Sequence, residues 1–348
     1  MREALPISLS RVPCAAAATA FAFAILPAVN AKPAQVAQVA ARDPVVMSIQ
    51  LKDIVKPRVG IQGQTQAAGT PNQAGLGGFL PLVVGSNSVF FLDVLANANF
   101  SDIRGQSSIV NTDVGGTTIS TSSRLGYRWL NGNRSWMYGI NAGYDSRPLT
   151  SGGDDTGIPI NTPRTAFFQQ VAAGVEAVSN SWNFNAFALV PIGDTEQQLN
   201  SAYKGGALDT YGLDAGYSIT PDFKASVGYY YQNGDLGEAD GSGVRGRLAY
   251  NLSNGLTVGA NLSYDQAFET RFSADLKYRF GSNGYGAPSI RKQQPAVMPV
   301  IQALSTAPAN RDVRVHDLIL FPDDPFFDKQ RADCESVGGV FTVPGGCF

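Results

Sequence analysis

Charge is scarce in this chain. Only 16% of its 348 residues are Asp, Glu, Lys or Arg, against roughly 25% in soluble globular domains. Basic and acidic residues nearly cancel, 26 against 28. That leaves no basic field to match phosphate spacing, so nucleic acid is not an expected partner. Histidine is almost missing: His316 stands alone, far towards the C-terminus. A Ser-His hydrolase needs its base beside the nucleophile, so the chain reads as a non-enzyme. One imidazole and few thiols do not make a tetrahedral zinc site either, and no cofactor is expected. Beyond the N-terminus there is also no run of the ~18–20 apolar residues that a spanning helix requires. What is plentiful is glycine (38), phenylalanine (19) and tyrosine (13), with a mean hydropathy of -0.06. That balance fits neither a disordered chain nor a helical membrane protein.

Residues 1–31 read as a secretory signal peptide: Arg2 and Arg11, an apolar stretch from Cys14 to Val29 interrupted by Pro27, then Val29-Asn30-Ala31 at the cleavage position. Cys14 precedes the apolar stretch, which excludes a lipoprotein signal. Removal of this segment leaves Cys334 and Cys347 in an exported chain, where oxidation is permitted and a disulfide between them is expected. A loop this short would gain roughly 3 kcal/mol in the chain-entropy picture.

Without a helix, the remaining way across a bilayer is a closed barrel, because every backbone N–H and C=O in hydrocarbon must pair internally. Its signature is segments of about 10 residues that alternate apolar and polar. Between Thr117 and Phe280 this pattern repeats. Ile119, Leu125, Tyr127 and Trp129 oppose Ser120, Ser122, Arg124, Gly126 and Arg128; Trp136, Tyr138, Ile140, Ala142 and Tyr144 oppose Met137, Gly139, Asn141, Gly143 and Asp145. Segments around Tyr211–Ile219, Phe223–Tyr231, Val244–Leu252, Leu256–Tyr264 and Phe268–Phe280 keep the same period of two. The apolar set is read as the lipid face and its aromatics as interfacial girdles.

Turn signals give the orientation. Short turns at Gly85-Ser86-Asn87, Asn131-Gly132-Asn133, Ser179-Asn180-Ser181, Pro221-Asp222 and Ser253-Asn254-Gly255 alternate with longer connections at Thr65–Gln73, Ser101–Gly116, Arg147–Arg164, Pro191–Gly206 and Gly234–Ser242. The alternation is strict except that the final hairpin, at Gln266, is tight. Short turns are periplasmic and long loops extracellular in outer-membrane barrels, so the first strand rises outward. Weaker strands at about Arg58–Gln66 and Ala74–Val84 precede Ser88–Asn99 and bring the total to about twelve. Pro81 marks a strand end or a bulge. The expected fold is therefore all-β: a closed antiparallel transmembrane barrel over residues 57–281, monomeric, in the outer membrane of a Gram-negative-type bacterium, in contact with outer-membrane lipid and inserted by the barrel-assembly machinery. Residues 32–56 read as a periplasmic leader, with Gln35–Ala41 helical.

Parity puts Arg124, Arg128, Asp145, Glu176, Asp214, Lys224, Arg245, Arg247, Asp265, Asp275, Lys277 and Arg279 on the lumen side. Cross-strand ion pairing is the simplest role for them. Cations on one wall facing carboxylates on the other would instead line a selective pore.

The stretch Trp136-Met137-Tyr138-Gly139-Ile140-Asn141-Ala142-Gly143-Tyr144-Asp145 and the preceding Leu125-Gly126-Tyr127-Arg128 resemble strands of inverse autotransporter barrels, the intimin and invasin family. Phe79-Leu80-Pro81-Leu82, Phe90-Phe91, Ala173-Gly174-Val175-Glu176-Ala177, Tyr211-Gly212-Leu213-Asp214 and Tyr278-Arg279-Phe280-Gly281 follow in the same order. The resemblance covers about residues 57–281. It implies a twelve-stranded barrel whose C-terminal linker threads the pore to display an adhesive passenger.

The chain departs from that pattern after the barrel, because residues 282–348 are too few for an immunoglobulin-like repeat of roughly 100 residues. Gly281–Pro308 reads as a Pro-rich linker, Val313–Phe321 as a short strand, and Cys334–Cys347 as a small disulfide-closed hairpin. Asp323-Asp324-Pro325 is a solvated turn rather than a calcium site. Three fates are open to this tail: threading the lumen to show a small cap, plugging the pore, or staying periplasmic. The expected function is display of the tail and surface loops, with a cell-surface ligand as a candidate partner. A small-solute porin is the alternative, and a structural anchor using the 32–56 leader is a third class.

Overall fold

The computed structural model describes residues 50–154, 163–253, 255–280 and 299–319, together with 334, 336, 341–342 and 346–347. The signal peptide and the Gln35–Ala41 helix lie outside the described residues, as do Asp323 and Asp324 and most of the terminal hairpin. A short helix α1 (Leu51–Ile54) precedes β1 (Arg58–Gln64), β2 (Asn72–Val84), β3 (Ser88–Phe100), β4 (Thr112–Gly115), β5 (Thr118–Leu130), β6 (Trp136–Asp154), β7 (Thr165–Ser179) and β8 (Trp182–Pro191). Then come β9 (Glu196–Gln198), β10 (Tyr203–Ser218), β11 (Phe223–Gly234), β12 (Gly241–Ser253), β13 (Leu256–Asp265) and β14 (Glu269–Arg279). Helix α2 (Pro299–Ala303), β15 (Val315–Ile319), β16 (Phe341–Thr342) and β17 (Gly346–Cys347) complete the described chain.

Twelve of these strands, all but β4, β9 and β15–β17, form one antiparallel barrel, and β14 closes on β1 from Gly60↔Arg279 to Gln64↔Asp275. Closure removes both sheet edges, so no backbone donor or acceptor is left to face lipid. Every hairpin connects neighbours, as the alternating turns require. β2 slips register against β3 between Pro81 and Val83: the missing N–H of Pro81 is absorbed by a bulge rather than by ending the strand.

The exterior is apolar where parity predicts it. Leu125, Ile140, Val227 and Phe272 are 48%, 50%, 69% and 67% exposed, although each would be buried in a soluble sandwich. An edgeless strand barrel with a lipid-facing apolar belt is a transmembrane barrel of the outer-membrane type, which places the chain in the outer membrane. No helix among the described residues is long and apolar enough to cross a membrane.

Two long connections are shorter than the turn signals suggested. The first eight residues of Arg147–Arg164 are strand, because β6 continues to Asp154 and pairs with β7 as far as Thr150↔Thr165. Likewise β10 begins at Tyr203, within the expected Pro191–Gly206 loop. Polar residues such as Ser146, Thr150 and Ser151 break the apolar alternation there because this part of the hairpin rises past the hydrocarbon and has no lipid face to maintain. β4 pairs with β6, and β9 with β10, on the same extracellular extension. Gln197 on β9 then seals against β7, its amide accepting from Phe167 N at 2.9 Å and donating to Phe167 O at 2.6 Å.

Small residues on the inner wall make room for large ones. A Cβ on Gly126 would overlap the ring of Phe91, and a Cβ on Gly143 would overlap the carbonyl oxygen of Ser123. Phe91 stacks on Phe79 at 5.1 Å and carries the Arg128 guanidinium 4.5 Å above its centroid. In Leu125-Gly126-Tyr127-Arg128, the outward pair therefore meets lipid while the inward glycine seats the platform on which the inward arginine rests. Backbone cannot yield as a side chain does. Gly143→Ala should consequently lower the yield of folded, heat-modifiable barrel more than Gly132→Ala, whose Cβ would meet nothing within 4 Å.

Candidate functional site

The lumen holds the chain's own C-terminal segment, residues 299–319. It enters at the end that carries the short turns. There Val300, Ile301 and Leu304 bury against Leu51 and Val55 of the N-terminal segment and against inward-facing Phe79, Val89, Phe91, Leu130 and Met137. Leader and tail thus share one apolar seal at the periplasmic mouth.

Above the seal, lumen arginines donate to main-chain carbonyls of the passing segment. Arg279 reaches Ser305 O (3.2 Å), Arg128 reaches Leu304 O (3.1 Å) and Thr306 O (2.6 Å), Arg124 reaches Asn310 O (3.2 Å), and Arg147 reaches Val313 O (2.8 Å). An extended chain leaves its carbonyls unpaired, and a guanidinium carries five donors with which to satisfy them. Side chains then set the register. Arg311 pairs with Asp93 at 2.7 Å, and Gln73 donates to Asp312 at 3.1 Å. Arg314 lies over the rings of Tyr230 (4.8 Å) and Phe268 (5.1 Å), with Asp265 at 3.2 Å. At the extracellular end β15 pairs with β10 from Ala207↔Val315 to Tyr203↔Ile319. The space left beside Gln73, Asn97, Arg147 and Arg311 is a cavity of about 10 Å³, enough for about one water.

The expected lumen residues do point inward, and most of them pair with one another. Arg124–Asp145 is bidentate at 2.6 and 2.7 Å with both side chains 1% exposed. Arg128–Glu176 (2.6 Å) and Arg245–Asp214 (2.6 Å) each span an intervening strand, as does Arg247–Asp275. The picture of cations on one wall and carboxylates on the other is therefore corrected: opposite charges alternate around the same wall, since strands two apart stand roughly 10 Å apart, within reach of Arg and Glu together. Asp265 pairs with the tail instead, and Arg279 donates to it. Lys224 and Lys277, towards the periplasmic half of β11 and β14, remain exposed.

Asp93, Gln73, Arg147, Gln170, Arg311, Asp312 and Arg314 belong to this site and were not singled out in the sequence. Asp93 and Gln73 lie on inward parity and were legible in principle. Arg147 falls within an expected loop, Arg147–Arg164. The tail residues sit in a stretch whose composition reads as linker.

The extracellular latch has its own electrostatics. Asp317 accepts from Asn111 N (2.8 Å), Asn111 Nδ2 (3.2 Å), Thr112 N (2.8 Å) and Thr112 Oγ1 (2.7 Å). Burial outweighs these donors and lifts its pKa to about 7. The neighbouring His316 is buried and its pKa is pushed down to about 4. The two act in opposite directions. A raised carboxyl stabilises docking in full near pH 4 and loses that contribution as pH rises to 7; a depressed imidazole contributes fully above its ordinary 6.5 and loses it as pH falls towards 4. Tail release in the parent should thus vary little between pH 4.5 and 6.5. In Asp317→Asn acid should speed proteolytic release of the tail, and in His316→Gln a shift from pH 5 to 7 should do so. Cys334 is disulfide-bonded, and β16 pairs with β17 through Phe341↔Cys347.

No protein-family model and no curated protein matches the chain. Solved structures do. One, from a study of the mechanism of in-meso crystallization of membrane proteins, has a TM-score of 0.54 at 11% identity, over 76% of this chain and all of the other. An outer-membrane channel from Pseudomonas putida F1 gives 0.42 at 14% identity over 65% and 95%. The KdgM porin gives 0.36 at 9% over 64% and 98%. At 11% identity the first of these is a likeness of fold alone.

Proposed function

We propose that the chain is an outer-membrane barrel of inverse-autotransporter type that carries its own short C-terminal segment through the lumen and presents the residues beyond Ile319, with the extracellular loops, at the cell surface. The observation that carries this reading is the threaded segment itself, sealed below by Val300, Ile301 and Leu304 and strand-paired above through β15. Its direction agrees, since β15 runs outward beside the extracellular start of β10. The tail packs against the wall around Arg147 and Arg311, leaving a water-sized cavity there, which speaks against solute passage along that side of the lumen. Adhesion to a cell-surface ligand is the use proposed for the displayed part, with the barrel acting as anchor rather than enzyme.

The test is an epitope placed after Phe348 and probed with antibody on intact cells. Labelling without permeabilisation is the expected result. Labelling only after the outer membrane is opened would place the terminus in the periplasm and overturn the reading.

A further inference from the structure

The two walls of the lumen are not equally filled. Val89, Phe91, Asp93, Arg124 and Arg128 are buried where the tail and its apolar seal lie against β3 and β5. Across the barrel, exposure rises towards the short turns. On β11, Gln232 and Tyr230 are 1% and 2% exposed, Gly228 and Ser226 are half-buried, and Lys224 is exposed. On β14, Ser273 and Asp275 are buried and Lys277 is exposed. The extracellular end of this wall is capped by Ala68, Leu208, Ala239 and Phe268, and Gln232 donates to Ala239 O at 2.9 Å. A wet recess thus runs up β11–β14 from the mouth that carries the short turns, and it ends blind.

The charge of this recess is one-sided. Lys224, Lys277 and Arg279 face inward in its lower half, as does Arg58, which stands opposite the buried Phe79. None of the four is in a salt bridge among the described residues. The carboxylates around them are already held: Asp275 by Arg247, Asp214 by Arg245 and Asp93 by Arg311. Asp312 of the tail accepts from Gln73, and Asp222 lies exposed in the turn at the mouth. Arg58 Nε is buried with no hydrogen-bond partner among the described residues. The chain itself brings no answering charge, because residues 280–298, between β14 and α2, include Arg291 and Lys292 but no Asp or Glu. Ala249 opposes Lys224 and Thr257 opposes Lys277, so short side chains line the wall between the two lysines.

We infer that this recess is a site for a small multivalent oxyanion of the diphosphate class, held between Lys224 on one side and Arg58, Lys277 and Arg279 on the other. A narrow cleft with one sign of charge and low-dielectric walls concentrates counter-ions far more than an open surface does, and spare ammonium and guanidinium donors make strong hydrogen bonds to phosphate oxygens. β11 and β14 are three strand spacings apart, roughly 14 Å along the wall, a span that suits two linked phosphates better than one. The tail leaves this side open below and the cap closes it above, so the anion enters and leaves by the same mouth.

The test places a thiol in the recess. Ala249→Cys faces inward beside Lys224; its reaction with an anionic sulfonatoethyl methanethiosulfonate is compared with that of the cationic trimethylammonioethyl reagent, on the full chain in detergent, with the parent protein as blank. The anionic reagent should react faster there, and should show no such advantage at Ser101→Cys, an exposed position outside the lumen. Inorganic pyrophosphate should protect Ala249→Cys saturably. Lys224→Gln and Lys277→Gln should each raise the protecting concentration by about tenfold, the worth of one hydrogen bond to a charged group, while the barrel stays heat-modifiable. Lys204→Gln, which removes the partner of Glu196 at the extracellular end, should leave protection unchanged. In detergent both mouths are open to reagent, so this inference can fail while display of the tail holds, and the reverse. A thiol that neither reagent reaches, equal rates for the two reagents, no protection by pyrophosphate, or protection that survives both lysine changes would each overturn it.

Discussion

A chain ending at Phe280 should form an open pore where the full chain conducts nothing steadily. The segment it lacks accounts for the apolar seal at the periplasmic mouth, the backbone acceptors of Arg124, Arg128 and Arg147, and the strand beside β10. None of these contacts holds barrel strands to one another, since all twelve pair without it. The truncated barrel is thus expected to insert and to show discrete single-channel steps in planar bilayers. Asp93→Asn with Asp265→Asn gives a milder version: it removes the partners of Arg311 and Arg314 and should turn silence into brief openings. A truncated barrel that inserts but stays silent would show that the tail is not what closes the lumen.

The second large effect is expected at Asp145. Its carboxylate is 1% exposed, holds both terminal nitrogens of Arg124, and accepts from Gln170 at 2.8 Å. Asp145→Ala leaves a guanidinium buried without a counter-charge, a situation that costs about 3–5 kcal/mol. The Arg124→Met, Asp145→Leu double variant removes both charges and should recover most of that loss, because the desolvation of the pair goes with them. Urea titration of the barrel in detergent or bilayer, followed by gel mobility or tryptophan fluorescence, measures both. Equal destabilisation by the single and double variants would show that packing, rather than the stranded charge, is at issue. The double variant also loses the Arg124 contact to Asn310 O, so it should hold the tail less firmly even where barrel stability returns.

The arrangement ties docking of the tail to barrel stability in a specific way. The arginines that satisfy tail carbonyls are the same ones that pair with carboxylates on the wall: Arg124 with Asp145, Arg128 with Glu176. Each guanidinium is oriented by the barrel before it meets the tail, so little side-chain freedom is lost on docking. Most of these contacts read main chain rather than side chain. The lumen is accordingly tolerant of sequence between Leu304 and Asn310 and selective at Arg311 and Arg314, where side chains are paired.

Much of this protein was legible from period alone. In a closed barrel each residue has only two directions, lipid or lumen, so alternation such as Leu125-Gly126-Tyr127-Arg128 assigns a face without any knowledge of neighbours. Turn residues then determine which strands are adjacent and which end carries short hairpins. Two things required the folded chain. One is the choice of charge partners: Arg128 meets Glu176 across β6, and Arg245 meets Asp214 across β11, contacts set by register and barrel curvature rather than by spacing along a strand. The other is the tail. Residues 304–314 carry no periodic pattern because they form no regular element of their own, and their carbonyls are satisfied by a lumen that exists only once β14 has closed on β1.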